Sequence, residues 1–193
     1  MKCQMVIAGV GGQGVLFAAR IFTEVARLRG LEVLGSETHG MSQRGGSVTS
    51  HLKFGSFQSP LVAEGDADVL LGLDCLEAHR TLPFLRPANG GPAALCVVSA
   101  PNAAAFPDPR VAPVLRGMGI ELHSCAADAA ALELGSVLSA NLLVLGFGSA
   151  LPAFPFSFEE VRTAVEALSS PAHRAANLGA MDRGRELPDL AGA

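Results

Sequence analysis

The stretch "CQMVIAGVGGQG", residues 3 to 14, constrains the fold more than any other part of the chain. A short, continuous apolar run reads as a strand buried on both faces, and the glycines end it abruptly. From Val15 to Arg29 the polar side chains Arg20, Thr23, Glu24 and Arg27 fall on one helical face. Ala18, Ile21, Phe22, Val25 and Leu28 fall on the other, and Gly30 supplies a stop. "EVLGS" then reads as a second strand, so the first 36 residues form a strand, glycine loop, helix and strand unit. That order opens a doubly wound α/β sheet.

Further along, "SVTSHLKF" (47 to 54) alternates, with Val48, Leu52 and Phe54 on one side. Its preceding loop is too short for a helical crossover, which favours an antiparallel or edge strand. "ADVLLGLD" and "AALCVVSA" are two more buried strands around a helical "CLEAHRTLPFL", and "IELHS" is a sixth. "SAPNAAAFPDPR" reads as a loop. The remainder is helical: "SANLLVLGFGSA" is apolar nearly all round, Ser157 with Glu160 forms a capping box, and Ser170-Pro171 opens a last helix through Met181. The expected architecture is a Rossmann-like three-layer α/β sandwich, with a mostly parallel sheet of about six strands and a helical C-terminal part. Residues 1 to 184 form one domain and 185 to 193 a loosely ordered tail.

Composition narrows the function. Of 193 residues 49% are hydrophobic and 17% charged, below the roughly 25% usual for globular chains, which implies apolar surface reserved for other chains. A net charge of −4, no basic cluster and no Trp or Tyr exclude a nucleic-acid groove. Cys3, Cys75, Cys96 and Cys125 lack metal-ligand spacing and read as four buried, reduced thiols, so no metal site is expected. The charge-free stretch between Glu133 and Glu159 is broken by Asn141, Gly146, Gly148, Pro152 and Pro155, so it reads as a buried helix and turn, not a membrane span. With no signal-peptide pattern, the expected location is cytoplasmic.

Two loops concentrate the functional signal. Gly9, Gly11 and Gly14 occupy GxGxxG positions between strand and helix, where backbone can approach a phosphate at a helix N-terminus. Glu37 stands near the distance at which a dinucleotide enzyme places its ribose-binding acid, although Gln13 puts an amide where a cofactor needs room. In "GMSQRGGSV", Arg44 with Gly45 and Gly46 offers a guanidinium beside exposed N–H groups, suited to phosphate or carboxylate. With the first two strands as neighbours, both loops should share one sheet edge. Other constellations read as structural: Cys75 and His79 one helical turn apart, the separate His39, His51 and His123, and the acid pairs Asp66/Asp68 and Glu159/Glu160.

"MVIAGVGGQGVLFAARIF", "ETHGMSQRGGSVTSHLKFG", "DADVLLGLDCLEAHR" and "SANLLVLGFGSA", in that order, resemble the gamma subunit of 2-oxoacid:ferredoxin oxidoreductases, close to the small subunit of the indolepyruvate enzymes. The resemblance implies a subunit, inactive alone, of a complex that oxidatively decarboxylates a 2-oxo acid with coenzyme A and passes electrons to ferredoxin. It places thiamine diphosphate, Mg and the iron–sulfur clusters in partner subunits, with nothing tightly bound by this chain and a homodimer open to the isolated subunit. By position Gly9, Gly11, Gly12, Gln13, Gly14, Arg44, Gly45 and Gly46 match the family's two loops and are the expected cofactor-facing residues; no catalytic residue is assigned. Two rivals stand beside this reading, a self-sufficient NAD(P)- or flavin-binding oxidoreductase and a non-catalytic scaffold subunit.

Overall fold

A computed structural model describes residues 1–40 and 45–191. In chain order it contains β1 (Cys3–Val10), α1 (Val15–Leu28), β2 (Val33–His39), β3 (Ser47–Phe54), β4 (Val69–Gly72), α2 (Cys75–Thr81) and β5 (Leu95–Ser99). Then follow α3 (Val111–Gly117), β6 (Glu121–Cys125), α4 (Ala127–Glu133), α5 (Ala140–Ala150), α6 (Phe158–Leu168) and α7 (Arg174–Arg185). The six strands form one sheet in the order β2-β3-β1-β4-β5-β6. β1, β4, β5 and β6 pair in parallel, and β3 runs antiparallel to both β1 and β2.

The α/β expectation holds, with a correction at β3. The short loop before it forces an antiparallel return, but the strand inserts between β1 and β2, so the edge belongs to β2 and the first two strands are not neighbours. β2, with only β3 beside it, is accordingly the least buried strand.

Alternation along the central strands builds two cores, as successive side chains point to opposite faces. Met5, Ile7, Leu71 and Val97 face α1, α4, α5, α6 and α7. Val6, Leu70, Cys96 and Val98 face the shorter α2 and α3. α3 lies just after the stretch read as a loop. Its seven residues include Pro113, which weakens any helical pattern. On the first face α5 and α7 cross so closely that a Cβ on Gly146 would strike the Met181 carbonyl, and one on Gly184 the Leu143 carbonyl.

The capping pair works beyond its own helix. Ser157 N–H donates to Glu160 Oε2 at 2.9 Å, while the same carboxylate pairs with Arg29 at the end of α1, stapling α1 to α6. Chiefly through that hydrogen-bonded guanidinium, Glu160 is held down at about 2. Since the folded value lies below the unfolded one, the pair contributes fully above about pH 4.5, and its contribution is lost as pH falls through 2. The site is partly exposed, so about 1 kcal/mol is expected. Urea melts should show Glu160→Gln losing that amount at pH 6 and converging with the wild type near pH 2.

The end of the chain also differs from expectation, because Asp189 ties it to β6. Its carboxylate accepts from Ser124 N–H at 3.1 Å and meets His123 Nδ1 at 2.7 Å, and Leu190 N–H donates to the Ser124 carbonyl at 2.8 Å. Residues 189 to 191 are therefore held against β6. Among the described residues no helix is long and apolar enough to cross a membrane.

Candidate functional site

Open α/β sheets bind ligands beyond the carboxyl ends of their strands, where the connections change direction. Here that point lies between β1, whose chain leaves toward β2, and β4, whose chain leaves toward β5. The glycine loop stands at this edge. Gly9 has no room for a side chain: a Cβ would meet Val15 Cγ2 at 2.9 Å, Gln13 Oε1 at 3.0 Å and Leu73 Cβ at 3.2 Å.

Gln13 closes the loop from within. Val10 N–H donates to Gln13 Oε1 at 2.7 Å, and Gln13 N–H returns to the Val10 carbonyl at 3.0 Å. Gly11 N–H donates to the Gly46 carbonyl at 2.8 Å, so the two conspicuous loops touch even though β3 separates their strands. Arg44 lies outside the described residues; Gly45 and Gly46 start the run into β3. Gly14 caps α1 in the left-handed region (φ 84°) without a side-chain cap. Ala18 is the first N–H of α1 to find a backbone acceptor, Gly14 at 2.9 Å, which leaves the Val15, Leu16 and Phe17 donors without one among the described residues.

Two clefts flank this helix end. One, of about 560 Å³, lies over Gly11, Gly12, Gly14 and Leu16, with Arg20 and His39 on its walls. The other, of about 680 Å³, lies between Phe17, the start of α5 and the start of α7. Near the second, Leu132, Leu134, Val137 and Leu138 are exposed, part of the apolar surface that the low charge content implies. Asn141, the polar interruption in the α5 stretch, is 6% exposed and packs its amide directly against Gly14.

The dinucleotide reading loses its geometry. Glu37 is on the edge strand, roughly 10 Å from β1 at two strand spacings. Its carboxylate lies 3.8 Å from His39. Gln13 meanwhile occupies the loop interior through which a pyrophosphate-binding backbone would be approached.

Elsewhere the ionisable groups are structural. Asp74 caps α2, accepting from Leu76 and Glu77 N–H at 2.9 and 3.0 Å. Burial, with Asp74 adding to it, pushes the Cys75 thiol up, opposite to what a nucleophile needs. His79 packs edge-on to Phe106. Cys75 is only half-buried, which corrects the expectation of four buried thiols; Cys3, Cys96 and Cys125 are buried, and burial pushes Cys3 and Cys125 up to about 12. His51 is a core residue whose Nδ1 accepts from Val62 N–H at 3.3 Å, and burial, with nearby Lys53 adding to it, pushes its pKa down. Asp68 is taken by Arg86 at 2.8 Å. Among the described residues no group of three His, Cys, Asp or Glu side chains is placed to hold a metal ion.

An α/β chain with a self-closed glycine loop and an open helix end is the class these features define. The chain belongs to the pyruvate ferredoxin/flavodoxin oxidoreductase family, whose profile matches residues 4–187. It is 35% identical over 170 residues to the indolepyruvate oxidoreductase subunit IorB of Archaeoglobus fulgidus, covering 86% of this chain and 85% of that one. To the subunit of the same name from Thermococcus kodakarensis it is 33% identical over 188 residues, covering 93% of each. Its fold matches the keto/oxoacid ferredoxin oxidoreductase gamma subunit of Geobacter sulfurreducens with a TM-score of 0.71 at 22% identity, covering 95% of this chain and 96% of that one. It also matches the 2-oxoglutarate:ferredoxin oxidoreductase of Magnetococcus marinus, with a TM-score of 0.73 at 22% identity. There 99% of this chain covers 31% of that one.

Proposed function

We propose that this chain is the small subunit of a thiamine-dependent oxidoreductase that converts a 2-oxo acid and coenzyme A to acyl-CoA and carbon dioxide, with ferredoxin taking the electrons. Indolepyruvate is the substrate favoured by the relatives' names. Thiamine diphosphate, its Mg and the iron–sulfur clusters are assigned to the partner subunits. The chain's own contribution is to shape one wall of the coenzyme A region. The observation that carries this reading is the glycine loop: closed internally by Gln13 and tied to Gly46, it leaves no dinucleotide cradle but keeps the α1 N-terminus open. Arg44, with Gly45 and Gly46, is assigned to a coenzyme A phosphate or a partner carboxylate.

Tagged chain expressed in its native host is expected to co-purify with subunits carrying thiamine diphosphate and iron–sulfur clusters. Isolation of the chain without any such partner defeats the reading. Lacking Trp and Tyr, the isolated protein absorbs weakly in the near ultraviolet, so a bound flavin or nicotinamide would stand out and restore the self-sufficient alternative.

A further inference from the structure

The sheet has two edges, and the chain closes only one of them. At β6 the outward groups of Ser124 are taken by the chain's own end: its N–H donates to Asp189 at 3.1 Å, and its carbonyl accepts from Leu190 N–H at 2.8 Å. At β2 no described residue does the same. Gly40 N–H donates to the Ser47 carbonyl and Gly55 N–H to the Glu32 carbonyl, both at 2.8 Å, which sets the alternation between β2 and β3. Leu34, Ser36 and Thr38 therefore turn their N–H and C=O groups to β3, and Val33, Gly35, Glu37 and His39 turn theirs to the open edge. The usual defences of an edge are missing, since β2 carries no Pro, Lys or bulge and runs for seven residues.

Side chains select what pairs there. α1 packs mainly over β1 and β3, which leaves a cleft of about 390 Å³ between the helix and the α1 side of β2. Ala19, Arg20 and Thr23 form its helix wall, and Gly35 leaves its strand wall bare beside Glu37. Arg20 makes no ion pair among the described residues, and the exposed Glu37 has only His39, at 3.8 Å. An antiparallel copy of β2 centred on Ser36 uses every outward group, because Val33 then pairs with the copy's His39, Gly35 with its Glu37, and the reverse. Directly opposite residues share a face, so each Glu37 side chain lies over the other copy's Gly35, at the mouth of the cleft that holds Arg20. Moving the axis to Glu37 would instead set two carboxylates against each other. A strand complementary to itself in both hydrogen bonds and charge selects a second copy of the chain as its occupant.

We propose that this chain forms a two-fold dimer through β2, the sheet running on from one copy into the other, with Glu37 of each copy paired to Arg20 of the other. The pairing is independent of the coenzyme and the reaction assigned above.

Sedimentation equilibrium of the full chain, from low micromolar to near-millimolar concentration, is expected to show a reversible monomer–dimer equilibrium. Over the same range hydrogen exchange should slow at the Val33, Gly35, Glu37 and His39 amides. Those of Leu34, Ser36 and Thr38, already bonded to β3, should stay protected throughout. Glu37→Arg and Arg20→Glu should each weaken the dimer about tenfold, and the two together should restore it. Glu37→Pro removes a donor that the monomer leaves unpaired, so the monomer is expected to fold while its dimer weakens about tenfold. A chain that stays monomeric overturns the proposal, as does a dimer without the alternating protection or a charge swap that fails to restore it. A monomeric chain whose edge amides become protected only in the purified complex assigns β2 to a partner subunit and also overturns it. The exchange pattern needs no substitution, so a variant that does not fold leaves the decision to the wild type. Co-purification with thiamine-bearing subunits does not depend on β2 pairing with its own copy, so failure here leaves the subunit assignment to its own test.

Discussion

Gly146→Val is expected to lower the melting temperature by on the order of 10 °C at this chain length, a loss of about 4 kcal/mol. Gly146 presents its Cα to the Met181 carbonyl, and Gly184 reciprocates against Leu143, so backbone meets backbone at the α5–α7 crossing. A flexible side chain could move aside; a carbonyl inside a helix cannot without shifting the whole helix. Overpacking of this kind costs about 1–3 kcal/mol or somewhat more. For Gly146→Ala the roughly 1 kcal/mol gained in helix propensity offsets part of that, leaving a net loss of about 2 kcal/mol. Valine loses the offset and adds bulk, which accounts for its larger effect. Gly179→Ala in α7 is the internal control, because nothing lies within 4 Å of its new Cβ. It should stabilise by up to about 1 kcal/mol. Thermal melts of the three variants that fail to separate in this order would mean that α5 and α7 do not cross at these glycines.

Gly14→Ala should show the second-largest loss, about 2–3 kcal/mol. Two causes add: alanine is strained by about 1 kcal/mol at a φ of 84°, and its methyl group would collide with the buried Asn141 amide. Gly12 separates them. Its φ is 101° but no atom lies within 4 Å of an added methyl, so Gly12→Ala should cost only the backbone strain, about 1 kcal/mol. Chemical denaturation of both variants measures the difference. Equal losses would show that the Asn141 amide yields easily to the added methyl group.

Much of the architecture is written locally. The runs that form β1, β4 and β5 are continuous and apolar because both faces of the sheet are covered, and α1 declares itself through its face of Ala18, Ile21, Phe22 and Val25. The antiparallel sense of β3 follows from the loop before it. Its place between β1 and β2 does not, because strand pairing depends on the rest of the sheet and leaves no mark in the strand's own alternation. α3 and α4, seven residues each, are too short to show a period against flanking Pro and Ala.

At the site the glycines are legible in the sequence and their partners are not. Gln13 reads as an obstruction; in the fold it is the clamp on Val10 N–H. Asn141 reads only as a break in an apolar stretch. The signal it carries is its solitude, since one amide in a helix buried all round needs a partner. Glu37 is misplaced by the same missing fact as β3: an inserted strand displaces it from β1.

That insertion also orders assembly in time. In the usual doubly wound unit the first strand finds its neighbour as soon as the second emerges, but here β2 offers β1 no edge. β2 and β3 are joined by a short connection and can zip into a hairpin on their own. β1 must wait for β3 on one side and for β4, some 60 residues downstream, on the other. β1, apolar and buried in the finished sheet, thus has no edge to pair with until β3 or β4 is in place, and a β2–β3 hairpin is expected to form before it pairs.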